Sequence, residues 1–401
     1  VTSLRLLFVK ESLAWPRSSG HDVHTYHMMR ALAALGHHVG LLAAAAPAPE
    51  AVAGLPLSWS GTFPPKDAPP TGPAPFLGWL QEKFRGYWGI DPNRVRAVAA
   101  AAADFDADAV VVVGLNVLPY LGAVRGRARV WYAADEWFWH HASQVTLRDR
   151  RTWGELKEAA VKGLYERAYG PILDRVWVVT EPDRRAMRLV AGVDGIDLVP
   201  NGVDGDHFTP LAVPQAERTC AFWGRLDFGP NVQALDWFCT HIWPLVRRTH
   251  PDARFAVYGF NPTPPVLGLV GRDGVELAAD LPDLRAEIAR HQVVVLPFVS
   301  GGGIKNKLLE AAAMGKPVVC SPTALNGLRN PRAAGFVLPR SPDEWAAGLA
   351  ALWADPARRA AAGAAARAWV VANHTWEAAA RTAAAGLAKV TRRAPRTCTR
   401  T

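Results

Sequence analysis

Leu296-Pro297-Phe298-Val299-Ser300-Gly301-Gly302-Gly303-Ile304-Lys305-Asn306-Lys307-Leu308-Leu309-Glu310 reads as the end of a buried strand that runs through three glycines into a helix. The apolar run Val293–Leu296 has no polar alternation, as expected of a strand covered on both faces of a parallel sheet. Glycines let backbone N–H groups come close to a phosphate. Lys305 and Lys307 add positive charge where a helix start already favours an anion. Glu310 falls about two turns beyond the loop, where a carboxylate can accept both hydroxyls of a ribose, as in other nucleotide folds. A carboxylate near a helix start also stabilises the helix dipole, by ~0.3–1 kcal/mol, and this stretch alone leaves both uses open. Met314-Gly315-Lys316-Pro317 then stops the helix ahead of another strand.

Outward from this stretch, strands are expected at Arg175–Val179, Ile196–Val199, Thr219–Trp223, Arg254–Tyr258, Val275–Leu277 and Pro317–Val319. Helices are expected at Val232–Thr249, Leu281–Arg290, Lys307–Met314, Pro342–Ala354 and Thr375–Val390, with a frayed basic tail at the end. The first half shows the same alternation, with strands at Leu4–Val9, Val39–Leu42, Ala109–Val113 and Arg129–Tyr132. A helix over His24–Leu35 is capped by Gly36, and the Pro- and Gly-dense stretch 46–75 is expected to be mostly loop. Strands alternating with helices imply α/β architecture with parallel sheets. A break between Val179 and Gly195 divides the chain into domains at 1–180 and 181–374, with a final helix at about 375–401.

Three further segments carry chemistry. In Val199-Pro200-Asn201-Gly202-Val203-Asp204, with Phe208 and Pro210 beyond, Asn-Gly after a strand demands a turn with positive φ, and Phe208 anchors the loop. In Phe222-Trp223-Gly224-Arg225-Leu226, a guanidinium follows a strand, with Pro230-Asn231 opening the next helix. That arrangement suits a pyrophosphate, although a surface Arg in a tight turn reads the same way. The third is the loop and helix start around Gly20-His21-Asp22-Val23-His24, which follows the first strand and so faces a ligand crevice in an open α/β sheet. His21 and His24 lack a third neighbouring ligand, so no metal site is expected.

Composition narrows the class. The 401 residues, half of them hydrophobic, suit two α/β cores. Cys220, Cys239, Cys320 and Cys398 are scattered without pairing, which fits a reducing cytoplasm. We expect neither a signal peptide nor a membrane-spanning helix. The net charge of +9 fits an anionic substrate or lipid surface, while nucleic acid is not expected, because no RNA-binding or recognition-helix signature accompanies the charge.

The segments Pro200–Pro210, Gly224–Leu226 and Lys307–Val319 together resemble the family 4 retaining glycosyltransferases, which have the glycosyltransferase-B fold. The resemblance spans nearly the whole chain, tightest over 176–330. It implies two Rossmann-like domains facing an interdomain cleft. The first would bind a hydroxyl acceptor, the second a nucleotide diphosphate sugar, and the final helix would pack back on the first. Arg225 with Lys305 or Lys307 would neutralise the diphosphate, and Glu310 would hold the ribose. Backbone at Gly302, Gly303 and Ile304 would face the donor sugar, with Leu309 and Gly20 also near the donor. Catalytic roles fall to Asp135, His24, Arg225 and Lys305, and no cofactor or metal is expected.

Departures from the family pattern are specific. The family commonly carries two glutamates separated by seven residues, but Gly302 stands where the first would be. Pro230 stands near the place of the usual lysine after the arginine, a loss that Lys305 offsets on this reading. Asp135 and Glu136 stand near the usual histidine, though Asp135 reads equally as a helix N-cap. For His24 the structural alternative is packing against Tyr26. Phe76, Trp79, Leu80, Phe84, Tyr87 and Trp88 fall at helical spacing, as core, as acceptor wall or as a peripheral membrane contact. The resulting expectation is a cytoplasmic sugar transferase in glycan, glycolipid or natural-product biosynthesis. The alternative is an impaired relative that binds nucleotide without turnover.

Overall fold

The computed structural model describes residues 3–15, 20–64, 91–134, 137–142, 145 and 153–391. The aromatic stretch 76–88, the basic tail, Asp135 and Glu136 therefore lie outside the described residues. The chain forms two compact units. One comprises the described residues within Val1–Val199 and Ala379–Thr401, the other Pro200–Ala378.

Unit 1 is built on seven strands: β1 (Arg5–Val9), β2 (His38–Ala43), β3 (Leu57–Thr62), β4 (Ala109–Val113), β5 (Ala128–Ala134), β6 (Arg175–Val178) and β7 (Ile196–Leu198). All pair in parallel, in the order β3-β2-β1-β4-β5-β6-β7. Leu6–Val9 and Ala109–Val112 are fully buried, which explains their unbroken apolar sequence. The chain winds outward from β1 to β3 and returns to β4 on the other side of β1. The crevice beyond the carboxyl ends of β1 and β4 is thus the topological switch point.

Unit 2 has five strands, β8 (Thr219–Arg225), β9 (Arg254–Phe260), β10 (Val275–Ala279), β11 (Val293–Leu296) and β12 (Val318–Cys320), in the parallel order β10-β9-β8-β11-β12. Its switch point lies between β8 and β11. Cys220, Cys239 and Cys320 are free and buried in this unit. Among the described residues no helix is long and apolar enough to cross a membrane.

Several expectations needed correction. The strand at Ile196–Leu198 pairs with β6 in the first sheet, so unit 1 runs to Val199, past the expected break near 180. The stretch 46–75 is not all loop: Leu57–Thr62 forms the edge strand β3, its side chains alternating between half-buried and exposed. Ser and Gly among its residues hid that pattern. The helix expected over Val232–Thr249 is three pieces: Gly229–Trp237, a π-turn over Phe238–Ile242, and Trp243–Thr249 with Pro244 in its first turn. Proline has no N–H to give an unbroken ladder, and the wide turn absorbs the mismatch.

The Ala-rich helix Pro356–Asn373, not foreseen from sequence, crosses the end of helix Asn306–Ala313 at a pair of glycines. A Cβ on Gly363 would lie 2.0 Å from the carbonyl oxygen of Gly315, and Arg367 donates to the carbonyl of Ala313. Alanine is favoured over glycine inside a helix by roughly 1 kcal/mol. Here the clash outweighs that gain, and Gly363→Ala is expected to destabilise the protein by about 1–3 kcal/mol. Urea unfolding of the variant with an unchanged or raised midpoint would show the helices can separate freely.

The last helix, Trp376–Thr391, starts in unit 2 and belongs to unit 1 from Ala379 onward. Within unit 1, a Cβ on Gly386 would meet the Asp197 carboxylate at 2.1 Å, so glycine permits the helix to seat on β7. Arg175 pairs with that same carboxylate.

Candidate functional site

At the switch point of unit 2, β8 ends in Gly224-Arg225 and β11 runs into the three glycines. Gly224 has φ 143°, and a Cβ there would lie 2.8 Å from the Lys307 ammonium, so only glycine lets that side chain pass. Gly301 and Gly303 have φ of 97° and 68°, which β-carbon sterics oppose. Gly302 is different: a Cβ there meets nothing within 4 Å, so packing does not exclude a side chain.

The two loops touch, since a Cβ on Gly301 would lie 3.1 Å from the Pro230 ring, and Ser300 donates to Gln233. Each opens a helix, Gly229–Trp237 after Phe228 and Asn306–Ala313 after Lys305. Neither helix start has a side-chain cap. Two sets of helix N–H groups are thus directed to one crevice, an arrangement that suits an anion.

The two lysines have distinct positions. Lys305 folds back over the glycine turn and donates to the carbonyls of Gly301 at 3.0 Å, Gly303 at 3.3 Å and Gly302, so its charge holds the loop shape. Lys307 crosses to the other loop and donates to Asn231 Oδ1 at 2.7 Å, while Asn231 Nδ2 donates to the Arg225 carbonyl at 2.7 Å. The Lys307 ammonium lies 4.9 and 5.0 Å from the rings of Phe222 and Phe298. Burial lowers its pKa to about 7, the Glu310 carboxylate opposes the shift, and Lys305 adds to it.

Glu310 accepts a hydrogen bond from Trp223 Nε1 on its Oε2 at 2.9 Å. Burial raises its pKa, while the Trp223 bond and Lys307 pull it down. Arg225 is half-exposed and forks onto Asp227 at 3.0 and 2.8 Å, holding that carboxyl below its usual range. Ile304 and Leu309 are buried in the unit 2 core, so only their backbone is available to a ligand.

Neither Asn201 nor Gly202 takes the positive φ expected of the Asn-Gly pair; the segment instead braces the helix start. Asn201 Nδ2 donates to Asn306 Oδ1, and the Asn201 carbonyl lies 3.1 Å from His374 Nδ1. His374 Nε2 accepts from the Arg329 amide at 3.0 Å, which places the ring proton on Nδ1. Burial lowers the His374 pKa to about 4, so the ring stays neutral at physiological pH. A Cβ on Gly202 would lie 2.3 Å from the Trp376 amide nitrogen. Sequence reasoning did not single out Trp223, Asn306 or His374. The first two lie inside stretches that it did quote, but no role was given to them, and His374 gave no local signal.

Of the expected site residues, Arg225, Gly302, Gly303, Ile304, Lys305, Lys307, Leu309 and Glu310 gather on this one crevice. Gly20 and His24 belong to unit 1, where Gly20 opens the helix Gly20–Ala34 beyond β1. His24 is buried, stacked on Tyr132 at 5.8 Å with Nδ1 3.1 Å from the Tyr132 hydroxyl, and burial lowers its pKa to about 3. Its ring stacks on Tyr132, where the structural alternative had named Tyr26.

Two Rossmann-like α/β units, the second with a phosphate-suited switch point, define the glycosyltransferase-B class of fold. The family described as "Glycosyltransferase Family 4" matches residues 18–207, and that described as "Glycosyl transferases group 1" matches 217–355. The chain belongs to the family 4-like glycosyltransferases of this fold. No match is found among curated proteins.

Similar solved structures include a sucrose-phosphate synthase from Thermosynechococcus elongatus, 17% identical over 97% of this chain and 100% of that one, with a TM-score of 0.70. A glycosyltransferase from Rickettsia africae is 12% identical over 98% of this chain and 100% of that one, with a TM-score of 0.66. HepE of Anabaena, in complex with UDP and glucose, is 14% identical over 96% of this chain and 99% of that one, with a TM-score of 0.63. At these identities the likeness concerns the fold.

Proposed function

We propose that the unit 2 crevice binds the nucleoside diphosphate of a sugar donor. The sugar then passes to an acceptor hydroxyl held by unit 1, with retained anomeric configuration and without a bound metal. One observation carries the reading: Lys307, Asn231 and the Arg225 carbonyl form a hydrogen-bonded chain, with the Glu310 carboxylate in electrostatic range of Lys307, at a switch point where two uncapped helix starts meet. The complex of HepE with UDP and glucose supports it by analogy of fold.

In this reading Glu310 accepts the ribose hydroxyls. Arg225, Lys307 and the helix N–H groups take the diphosphate oxygens. As the bond from the anomeric carbon to the diphosphate breaks, negative charge grows on the leaving oxygen, and cations already in place stabilise it. Lys305 contributes by fixing the loop. The charge lost with Pro230 is made up by Lys307, whose ammonium reaches Asn231 in the same turn. Gly302 leaves open space on the donor side where a carboxylate stands in the family.

A thermal-shift screen of UDP, GDP, ADP, dTDP and CDP sugars tests the reading. A bound donor at a hundredfold excess over Kd stabilises by about 2.7 kcal/mol, a clear rise in Tm. A flat response to every nucleotide would reject it.

The Arg225 side chain is half-exposed and pairs with Asp227 in its own loop, so Arg225→Ala is expected to leave Tm within a few degrees. It should lower kcat/KM by about 10- to 100-fold, the loss of one charge-assisted contact to the diphosphate. A large loss of stability with unchanged kcat/KM in the folded fraction would make this arginine structural.

A further inference from the structure

At the opposite edge of unit 2, helix Trp243–Thr249 carries Arg247-Arg248 near its end, ahead of β9, and the turn Gly271-Arg272-Asp273-Gly274 stands just before β10. A cavity of about 540 Å³ lies there, lined among others by Thr240, Trp243, Pro244, Arg247, Arg248 and Arg272. We propose that this cavity binds a phosphate monoester, held by Arg248, Arg272 and the Thr240 hydroxyl. It lies toward the amino ends of β9 and β10, whereas the glycine-rich crevice lies at the carboxyl ends of β8 and β11. A strand of seven residues spans roughly 20 Å, so the two places are separate sites.

The charges on its lining do not cancel. Arg247 pairs with Asp273 at 2.8 Å and donates to the Ala253 carbonyl at 2.8 Å, so its guanidinium is committed to the turn. The Arg272 side chain bonds the Thr240 hydroxyl at 3.3 Å and meets no carboxylate. Arg248 is exposed, with no side-chain hydrogen bond or ion pair among the described residues. Three arginines against one aspartate leave an excess of two positive charges on the lining. Asp236 opposes Arg272 in its effect on the Cys239 thiol, yet forms no ion pair with any of the three. A phosphate monoester carries about −1.5 to −2 charges near pH 7 and offers three acceptor oxygens, which matches that excess. A carboxylate, with one charge and two oxygens, leaves a guanidinium unmatched.

The backbone that carries these arginines is fixed in advance. Gly271 and Gly274 have φ of 93° and 75°, values that turn the chain sharply on either side of Arg272-Asp273. Trp243 Nε1 donates to the Asp273 carbonyl at 2.9 Å, which pins the turn to the helix bearing Arg247 and Arg248. A Cβ on Gly274 would lie 2.6 Å from the Ala253 carbonyl oxygen and 3.0 Å from Arg247 Nη1, so this approach requires glycine. A backbone already in place spares a ligand the entropy cost of ordering it.

The π-turn Phe238–Ile242 brings Cys239 and Thr240 to the same wall. Such turns recur at functional sites, because the wide turn shifts side chains out of the helical register. Here the Thr240 hydroxyl comes to face Arg272. Cys239, Trp243 and Pro244 add an apolar lining suited to the organic part of an ester. The volume falls within the ordinary range of small-ligand clefts, roughly 300–1,000 Å³.

Calorimetry on the full chain with phenyl phosphate tests the site, with benzoate and phenyl sulfate as singly charged comparators of similar size. Phenyl phosphate should bind at least about tenfold more tightly than either comparator. Arg248→Gln and Arg272→Gln should each weaken it about tenfold, while Arg225→Ala, at the glycine-rich crevice, should leave its affinity unchanged. Both glutamine variants should keep the wild-type Tm within a few degrees, because Arg248 bonds nothing and Arg272 one hydroxyl. Flotation with vesicles of equimolar phosphatidylcholine and phosphatidic acid separates the two sources of such an ester. Vesicle capture that phenyl phosphate competes away and both glutamine variants lose would assign a lipid headgroup. Binding of phenyl phosphate without vesicle capture would assign a soluble ester, and either result supports the site. Silence of phenyl phosphate, preference for either comparator, binding that survives both glutamine variants, or binding lost in Arg225→Ala would each overturn the proposal.

Discussion

Glu310→Ala is expected to raise the Kd of the preferred nucleoside diphosphate on the order of a hundredfold. Hydrogen bonds to a charged group contribute about 1.5–3 kcal/mol each, and a carboxylate that accepts both ribose hydroxyls loses two of them. The variant also strips Trp223 Nε1 of its acceptor. Trp223 is buried, so stability should fall by about 1–3 kcal/mol in addition.

Two controls separate these effects. Glu310→Gln keeps an oxygen for the indole, and should restore most of the stability but only part of the affinity. A 2′-deoxy nucleotide should bind the wild type more weakly by the same contact and show no further loss in Glu310→Ala, which a double-mutant cycle reads directly. Calorimetry showing equal nucleotide affinity in wild type and Glu310→Ala would remove the ribose role and leave only the packing one.

The second large effect is in pH. Lys307 titrates at about 7 because its ammonium is buried between Phe222 and Phe298. Below that pH it is an ammonium and can meet a diphosphate. Above it the side chain is an amine, and binding must first recruit a proton. The Kd of an intact nucleotide sugar should therefore be flat below pH 7 and rise about tenfold per pH unit above it, with uptake of close to one proton per donor bound at pH 8. Calorimetry in buffers of different ionisation enthalpy measures that uptake.

Without donor the sign is opposite in its consequence for folding. The unfolded lysine titrates near its ordinary value, so between pH 7 and that value the unfolded chain binds more protons and stability rises with pH. Lys307→Met should abolish both dependences and lower kcat/KM about 100-fold. Proton uptake that persists in the variant would assign the titration to another group.

Much of the frame was legible because it is local. Ala109–Val113 and Val293–Leu296 are unbroken apolar runs, and the structure places strands over those residues. Strand β3 escaped notice because an edge strand carries polar residues that also mark loops. The strand Ile196–Leu198 was visible, but its sheet was not: pairing with β6 is a contact between segments, and neither segment encodes it alone.

At the site, the residue types needed for a nucleotide cradle could be read from the triglycine stretch and Glu310. The division of labour could not. Lys305 and Lys307 look alike in sequence, yet one turns back onto carbonyls two to four residues away and the other spans to Asn231 across 76 positions. Trp223 meets Glu310 across 87 positions. His24 stood at a helix start that looked functional, and its contact with Tyr132, 108 positions away, came only with the fold.

Residue period, glycine placement and apolar run length thus established two parallel α/β units and the family, since each reflects the backbone geometry of a few neighbouring residues. Charge state, side-chain direction and partner choice came only with the folded chain, because burial and long-range contact set the electrostatics of a side chain and its own neighbours in sequence do not.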